Sequence, residues 1–248
     1  MNILITGSSS GIGLQLARDY LVQSNMVYCC GRNIAKLETL KREFPDLVQI
    51  VCFDVQNRDD CRTGLSMLPA LDLVILNAGT CEYITATSFD SAMFERVVRT
   101  NLIGTANCLE FLIPKIKPGG KLALMGSSSS YLPLPRAEAY GASKSAIEYL
   151  AKTLAISLQS IAVRVSYIAP GFVQTPLTDL NDFPMPMSVS VEYASEKIRS
   201  GLSKNKAEIN FPLTLTWVLK TVRALPVGLQ RLLIAKLLRP SIVAAEPG

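Results

Sequence analysis

From the N-terminus to about residue 170, short apolar and β-branched runs alternate with amphipathic stretches. The apolar runs predict strands at 3–6, 26–30, 48–53, 73–76, 122–125 and 163–168. Several of these runs are apolar without a break, as strands covered on both faces must be. Apolar positions at helical spacing predict helices over 11–23, 34–44, 59–67, 91–113, 140–158 and 191–202. Connections are short, and neither an internal repeat nor a linker-like segment interrupts them. The alternation predicts an α/β fold, a doubly wound, mostly parallel sheet with helices on both faces, with residues 1–248 forming a single domain. The pattern changes at Pro170, beyond which eight of the 14 prolines lie, counting Pro170 itself. The stretch 176–186 is rich in Pro and Met. Loops of this kind are often functional lids. Phe183, Met185, Met187 and Val189 suggest a lid region, 176–205, that closes on something apolar, with an ordinary surface loop as the other reading.

Composition narrows the chemistry. The 248 residues are 49% apolar and 18% charged, which excludes a disordered or fibrous chain. A chain of this length buries a large core without metals or disulfides. It contains no histidine, which removes the Ser-His-Asp triad, the Cys-His nucleophile and His-based metal sites. The net charge of +5 is uneven: residues 1–200 carry 18 basic and 18 acidic side chains, and residues 201–248 carry 7 and 2. A nucleic-acid binder spreads basic residues over a face with aromatics between them, so no nucleic-acid partner is expected. The cysteines at 29, 30, 52, 61, 81 and 108 form no Cys-x-x-Cys pair, and Cys29, Cys30 and Cys52 fall in runs that read as buried strands. They are expected to be reduced core residues, with no metal site. The chain enters a strand-like run without a basic n-region or cleavage site, so no signal peptide is expected. The longest uncharged run, 1–17, is rich in Gly and Ser and too short to span a bilayer, and a cytoplasmic protein is expected.

The first predicted strand runs into Thr6-Gly7-Ser8-Ser9-Ser10-Gly11-Ile12-Gly13 and then a helix. Gly7, Gly11 and Gly13 permit a tight turn, close approach of the backbone to a pyrophosphate and close helix–strand packing. The phosphate then sits at the helix N-terminus, within reach of Ser9, Ser10 and Ile12. A dinucleotide fold often has an acidic residue after its second strand, which bonds the adenosine 2′-hydroxyl. Here Gly31-Arg32 stands instead. A carboxylate would repel a 2′-phosphate, whereas a guanidinium grips it with two hydrogen bonds, so Arg32 favours NADP(H) over NAD(H). A solvent-exposed arginine at a strand end is the plainer reading. Tyr140 and Lys144 stand four apart on a predicted helix, hence on one face. A cation one turn away is expected to lower a tyrosine pKa of about 10 and fit the phenol for general acid–base work. Ser127 lies thirteen residues before Tyr140 at the end of the fifth predicted strand, where open α/β sheets place their ligands. Its hydroxyl is placed to hold a carbonyl oxygen beside the phenol.

These motifs resemble the short-chain dehydrogenase/reductase family in its compact, Rossmann-like, single-domain branch. Thr6-Gly7-x-x-x-Gly11-Ile12-Gly13 is similar to the family's cofactor turn, and Asp54-Val55 to its adenine-side pair. Asn77-Ala78-Gly79 is similar to the segment after strand four, and Asn101, followed by Leu102-x-Gly104, to the helix asparagine. Ser127, Tyr140 and Lys144 match the catalytic three, and Pro170-Gly171-Phe172-Val173-x-Thr175 the segment that contacts the nicotinamide amide. The matches are in order and cover residues 1 to about 176. The resemblance implies hydride transfer between NADP(H) and a carbonyl or alcohol substrate, a ketone or aldehyde in one direction. Tyr140 then exchanges the proton, Ser127 orients the carbonyl, Lys144 bonds the nicotinamide ribose, and Asn101 positions a water that relays protons to Lys144. A helix asparagine with a backbone partner is the other reading of Asn101, and a strand-end turn residue that of Asp54.

The resemblance also implies a homodimer or homotetramer. It weakens after Thr175, where Glu208-Ile209-Asn210-Phe211-Pro212 replaces an Asp-Gly-Gly-like stretch. The extension 211–248 carries apolar residues at helical spacing beside Lys220, Arg223, Arg231, Lys236 and Arg239. Such a basic amphipathic segment suits weak contact with an anionic membrane surface or a partner subunit, and a helical hairpin capping the core is the alternative. A non-catalytic NADP(H)-binding sensor or scaffold is the rival to an enzyme, and a membrane-surface module a third reading.

Overall fold

The structure, a computed structural model, describes residues 1–181 and 184–243, and their side chains outside 180 and 236–243. Phe183 of the expected lid lies outside the described residues, as do the side chains of Lys236 and Arg239 in the expected basic tail. Strands β1 (Asn2–Thr6), β2 (Met26–Cys30), β3 (Val48–Val51), β4 (Leu71–Leu76), β5 (Ile116–Met125), β6 (Arg164–Pro170) and β7 (Glu208–Phe211) form one sheet. Their order is β3-β2-β1-β4-β5-β6-β7 and every pairing is parallel. The helices are α1 (Gly11–Val22), α2 (Ile34–Glu43), α3 (Arg58–Ser66), α4 (Ser91–Val98), α5 (Gly104–Leu112), α6 (Glu138–Ser157), α7 (Val191–Ser203), α8 (Leu213–Arg223) and α9 (Val227–Val243). This is the doubly wound, Rossmann-like sheet that the alternation predicts.

Both faces are covered, and the period-two geometry of a strand sorts the apolar residues between them. Ile3 and Ile5 of β1 face Leu16, Leu37 and Ile198, in a core layer under α1, α2 and α7. Leu4 faces the opposite layer with Leu65, Leu112 and Ile147, from α3, α5 and α6. Each such side chain, removed from water, contributes about 1.5–3 kcal/mol. Strand order reverses between β1 and β4, which opens a crevice at their C-terminal ends.

Four features depart from the sequence pattern. The amphipathic stretch 91–113 is not one helix: α4 and α5 are separated by a π turn, Arg99–Ile103, with Asn101 buried inside it. Strand β5 starts at Ile116, because Lys117-Pro118-Gly119-Gly120 interrupts the apolar signal without ending the strand. Strand β7 sits at the sheet edge and buries only Ile209 and Phe211, too few positions for a periodic pattern. Cys52 is exposed, because β3 ends one residue before it; Cys29, Cys30, Cys61 and Cys108 are buried thiols.

In the C-terminal extension, two of the basic residues pair with acidic side chains of the rest of the fold. Lys220 Nζ pairs with Glu208 at 2.9 Å, and Arg223 Nη1 with Glu148 at 3.2 Å. Leu213, Trp217 and Leu232 remain exposed. Among the described residues no helix is long and apolar enough to cross a membrane.

Candidate active site

A cleft of about 320 Å³ opens where the strand order reverses. Its first wall is the turn between β1 and α1. Gly7 has φ +68, and a Cβ there would come within 3.0 Å of Ala78 Cα. A Cβ on Gly13 would lie 2.3 Å from the Gly7 carbonyl oxygen, so α1 starts this close to the turn only because the side chain is missing. The side chain of Ser10, the N-cap of α1, makes no capping hydrogen bond. The first-turn N–H groups therefore face the cleft as donors for an anion. Thr6 Oγ1 accepts from the Asn77 and Ala78 N–H groups at 2.9 and 3.0 Å, and Asn77 Nδ2 donates to the Thr6 carbonyl at 3.0 Å. The loop after β4 is thus fastened to the glycine turn.

Arg32 stands after β2, with its side chain 70% exposed and Nη1 3.3 Å from Asp54 Oδ2. Asp54 Oδ1 accepts the Gln56 N–H at 3.0 Å, so Asp54 is a turn residue and a cleft residue at once. A backbone cradle, an uncapped helix start and a reachable guanidinium are a donor set that fits a dinucleotide carrying an extra phosphate. Val55, Ala78 and Gly79 continue the lining toward the second wall.

Ser127, Tyr140 and Lys144 make that second wall. Ser127 follows β5; its Oγ accepts the Ser129 N–H at 3.1 Å, and it lines the cleft together with Tyr140. Lys144, one turn after Tyr140 on α6, is 4% exposed and donates to the Met125 carbonyl at 2.9 Å. Its Nζ lies 5.6 Å from the centre of the Tyr140 ring. Burial pulls the Lys144 pKa down to about 8. The expectation that Lys144 lowers the Tyr140 pKa is corrected here. Burial raises it, the nearby Cys81 adds to the rise, and Ser127 is the influence that lowers it. The cation faces the ring of a phenol that is itself desolvated, and desolvation of the phenolate wins.

Pro170, Gly171, Val173 and Thr175 line the cleft after β6. Thr178 fixes this segment, donating to the Val173 carbonyl at 2.7 Å and accepting the Thr175 N–H at 2.9 Å. Val189 returns to pair with Val173, and the Tyr83 hydroxyl donates to Asn181 Oδ1 at 2.6 Å, which joins the loop after β4 to the loop after β6.

Two of the expected site residues lie outside the lining. Gly13 packs behind the turn. Asn101 is buried; its Oδ1 accepts the Thr80 N–H at 2.8 Å and its Nδ2 donates to the Thr80 carbonyl at 2.9 Å and to Ser143 Oγ at 3.0 Å. Its own carbonyl accepts from Thr105 Oγ1 at 2.7 Å. The Asn101 side chain therefore has the backbone partner of its plainer reading, and it anchors the Gly79–Thr80 corner. Sequence reasoning does not find Thr178, whose part is a local turn bond, or Cys81 and Tyr83, which lie in no motif.

The model of the family described as short chain dehydrogenase matches residues 1–182. A protein of Myxococcus xanthus called an uncharacterized oxidoreductase is 31% identical over 232 residues, covering 90% of this chain and 92% of that one. The chlorophyll(ide) b reductase NOL of Arabidopsis thaliana is 32% identical over 228 residues, covering 80% of this chain and 65% of that one. Among solved structures, the closed form of a serine dehydrogenase complexed with NADP+ matches with a TM-score of 0.78 at 26% identity, covering 86% of this chain and 96% of that one. With a glycine turn, a Ser-Tyr-Lys wall and these relatives, the chain belongs to the short-chain dehydrogenase family of oxidoreductases.

Proposed function

We propose that this protein interconverts a ketone or aldehyde and its alcohol, with NADP(H) as the nicotinamide cofactor and an apolar compound as substrate. The observation that carries the reading is the meeting of Ser127, Tyr140 and Lys144 in the cleft that the glycine turn and Arg32 also line. When bound, the cofactor supplies or accepts the hydride. The N–H groups at the start of α1, with Ser9 and Ser10, hold its pyrophosphate, and Arg32 its 2′-phosphate. Asp54 and Val55 border the adenine, and Pro170, Gly171, Val173 and Thr175 the nicotinamide end.

Ser127 is oriented by the Ser129 N–H, and its hydroxyl proton is available to the substrate oxygen. Tyr140 gives its proton to the same oxygen in reduction and takes it back in oxidation. Burial keeps the phenol protonated at neutral pH, the form that carbonyl reduction consumes. Lys144 has three donors, of which the Met125 carbonyl takes one, leaving others for ribose hydroxyls. Asn101 holds Gly79 and Thr80 in place beside Lys144. Pro176 and Leu177 continue the cleft lining after Thr175, which suits an apolar substrate. Two or four copies of the chain assemble through helices α4–α5 and α6. The presence of Tyr140 beside an ordered Ser127 favours catalysis over a sensing role, which needs only the cofactor turn.

NADPH oxidation with a panel of long-chain and aromatic ketones and aldehydes tests the reading. Tyr140→Phe is expected to lower kcat by at least about 10³-fold, within the range such proton-transfer groups command, while NADPH binding by fluorescence is kept. Turnover that survives in Tyr140→Phe overturns the mechanism. Arg32→Ala is expected to raise the KM for NADPH by about tenfold, the scale of one charge-assisted contact, and to leave that for NADH near its original value. Equal effects on both would place the 2′-phosphate elsewhere.

The buried Lys144 gives a third expectation. The unfolded chain keeps that proton up to the ordinary lysine value of 10.5, and the folded chain releases it near 8. The unfolded state then binds more protons between these values, so this group's penalty on folding is full below pH 8 and fades as pH rises to 10.5. Lys144→Met should unfold at a higher temperature than the wild type at pH 7 in calorimetry, with a margin that narrows above pH 8 and with turnover lost. A lower melting temperature at pH 7 would show that the Met125 bond outweighs the burial of the charge.

A further inference from the structure

The C-terminal extension carries a second apolar face, turned away from the core. Helix α8 spends one side on the fold: Thr216 is buried and Leu219 packs on the layer under α5 and α6. Leu215 lies against Gly171, where a Cβ would come within 2.8 Å of it. Gln230 of α9 donates to the Arg223 and Leu225 carbonyls at 3.0 and 2.8 Å, which closes α8 and α9 into a hairpin, and Ile234 anchors α9 by burial. With those positions used, Leu213, Trp217, Val218, Val227, Leu229 and Leu232 are still exposed, Trp217 by 69%. They are the densest run of exposed large apolar side chains among the described residues. Met187, from the segment after β6, is also exposed, and its sulfur lies 3.5 Å from the Thr214 hydroxyl. Apolar residues scattered singly over a surface need no partner, but a run of this density marks a surface made for one.

We propose that the α8–α9 hairpin docks on an anionic membrane surface, with Met187 and the Gly171 end of the cleft turned toward the bilayer. Charge identifies the partner. Residues 213–245 contain no Asp or Glu, and they contain Lys220, Arg223, Arg231, Lys236 and Arg239. The acidic side chains that reach the hairpin do not cancel this. Glu208 balances Lys220, but Glu148 is shared by Arg223 and Lys152, which leaves one positive charge over. Arg231 is exposed between Leu229 and Leu232. Apolar side chains with cations among them are what binds at the boundary between acyl chains and acidic headgroups. Trp217 suits the same depth, because an indole has an apolar body and a polar N–H. A second copy of the chain fits less well, since a two-fold contact of this face with itself sets positive charge against positive charge. The hairpin lies on the surface and does not span it, as no described helix is long and apolar enough to cross.

The chain has one tryptophan, and it lies on this face, so its fluorescence reports the docking directly. The full chain is titrated with vesicles of phosphatidylcholine and phosphatidylglycerol in equal parts, and with vesicles of phosphatidylcholine alone. The mixed vesicles are expected to shift Trp217 emission to the blue, and acyl chains brominated near the headgroup to quench it. Raising the salt should release the protein, because the attraction between exposed charges is screened. Arg231→Glu is expected to weaken partition by at least about tenfold, given about fivefold for each cation at such a surface, while Arg231→Lys keeps it. Leu232→Glu changes an exposed position, so the fold is kept, and it should weaken partition on the same scale. Val22→Glu, equally exposed but on α1, should leave it unchanged. Met187→Glu should weaken partition as Leu232→Glu does; binding at wild-type strength would overturn the orientation given to the cleft. No shift and no quenching with the mixed vesicles would overturn the proposal. So would a Trp217 emission already blue before lipid is added, rising with protein concentration in step with dimer mass by light scattering, which would give the face to a second copy of the chain. Equal binding to both kinds of vesicle, indifferent to salt, would overturn the part given to the cations. Neither cofactor nor substrate enters these measurements, so their outcome is separate from that of the reductase reading.

Discussion

The site is organised around a buried ammonium group. Lys144 is held in the interior by a backbone carbonyl, with an aromatic ring beside it, and burial makes its charge costly enough to bring its titration down to about 8. Isolated charges do not persist in an apolar core without geometry to support them. Here α6 supplies that geometry by placing Tyr140, Lys144 and Glu148 on successive turns of one face, and β5 supplies the Met125 carbonyl and then Ser127. The corner at Gly79 is as closely fitted: a Cβ there would lie 3.1 Å from Asn101 Oδ1 and 3.4 Å from Lys144 Nζ. Lys144, Asn101 and the loop after β4 therefore constrain one another.

The sheet explains why these groups meet the glycine turn. Parallel strands all deliver their C-terminal ends to one edge, and the reversal of order between β1 and β4 keeps that edge open. Residues far apart in sequence, Thr6 and Asn77 or Gly11 and Thr175, are brought within contact there. Stability and chemistry compete at the same place: the glycines, the uncapped start of α1 and the buried cation all weaken the fold locally and leave donors facing the cleft.

Much of this was legible in the sequence, for physical reasons. Strands buried on both faces must be apolar throughout, so the runs at β1, β2, β4 and β6 stand out. A turn that needs φ +68 and helix–turn contact at van der Waals distance accepts only glycine, so the Gly7 and Gly13 signals are strong. The rest was hidden where the determining partner is distant. The π turn at Asn101 leaves the helical period of 91–113 intact and shows only in the bonds to Thr80 and Ser143. Strand β7 buries two residues and borrows its stability from β6. Lys220 and Arg223 read only as part of a basic amphipathic segment until Glu208 and Glu148 are seen to pair with them, the second from 75 residues away. Tyr167 reads as one more residue of a strand run, and only the packing shows its ring beneath Gly126 and its hydroxyl at the Ser127 backbone.

The central claim is that this cleft brings a nicotinamide ring and a carbonyl carbon together for direct hydride transfer, with the proton supplied by the protein. The most direct measurement uses NADPH deuterated at the transferable position of nicotinamide C4, the fastest-reduced ketone of the panel, and mass spectrometry and NMR of the alcohol. The account predicts a single deuterium on the carbinol carbon, delivered from one face of the carbonyl, with the hydroxyl proton coming from solvent. A product without carbon-bound deuterium, or label released to water, would contradict it.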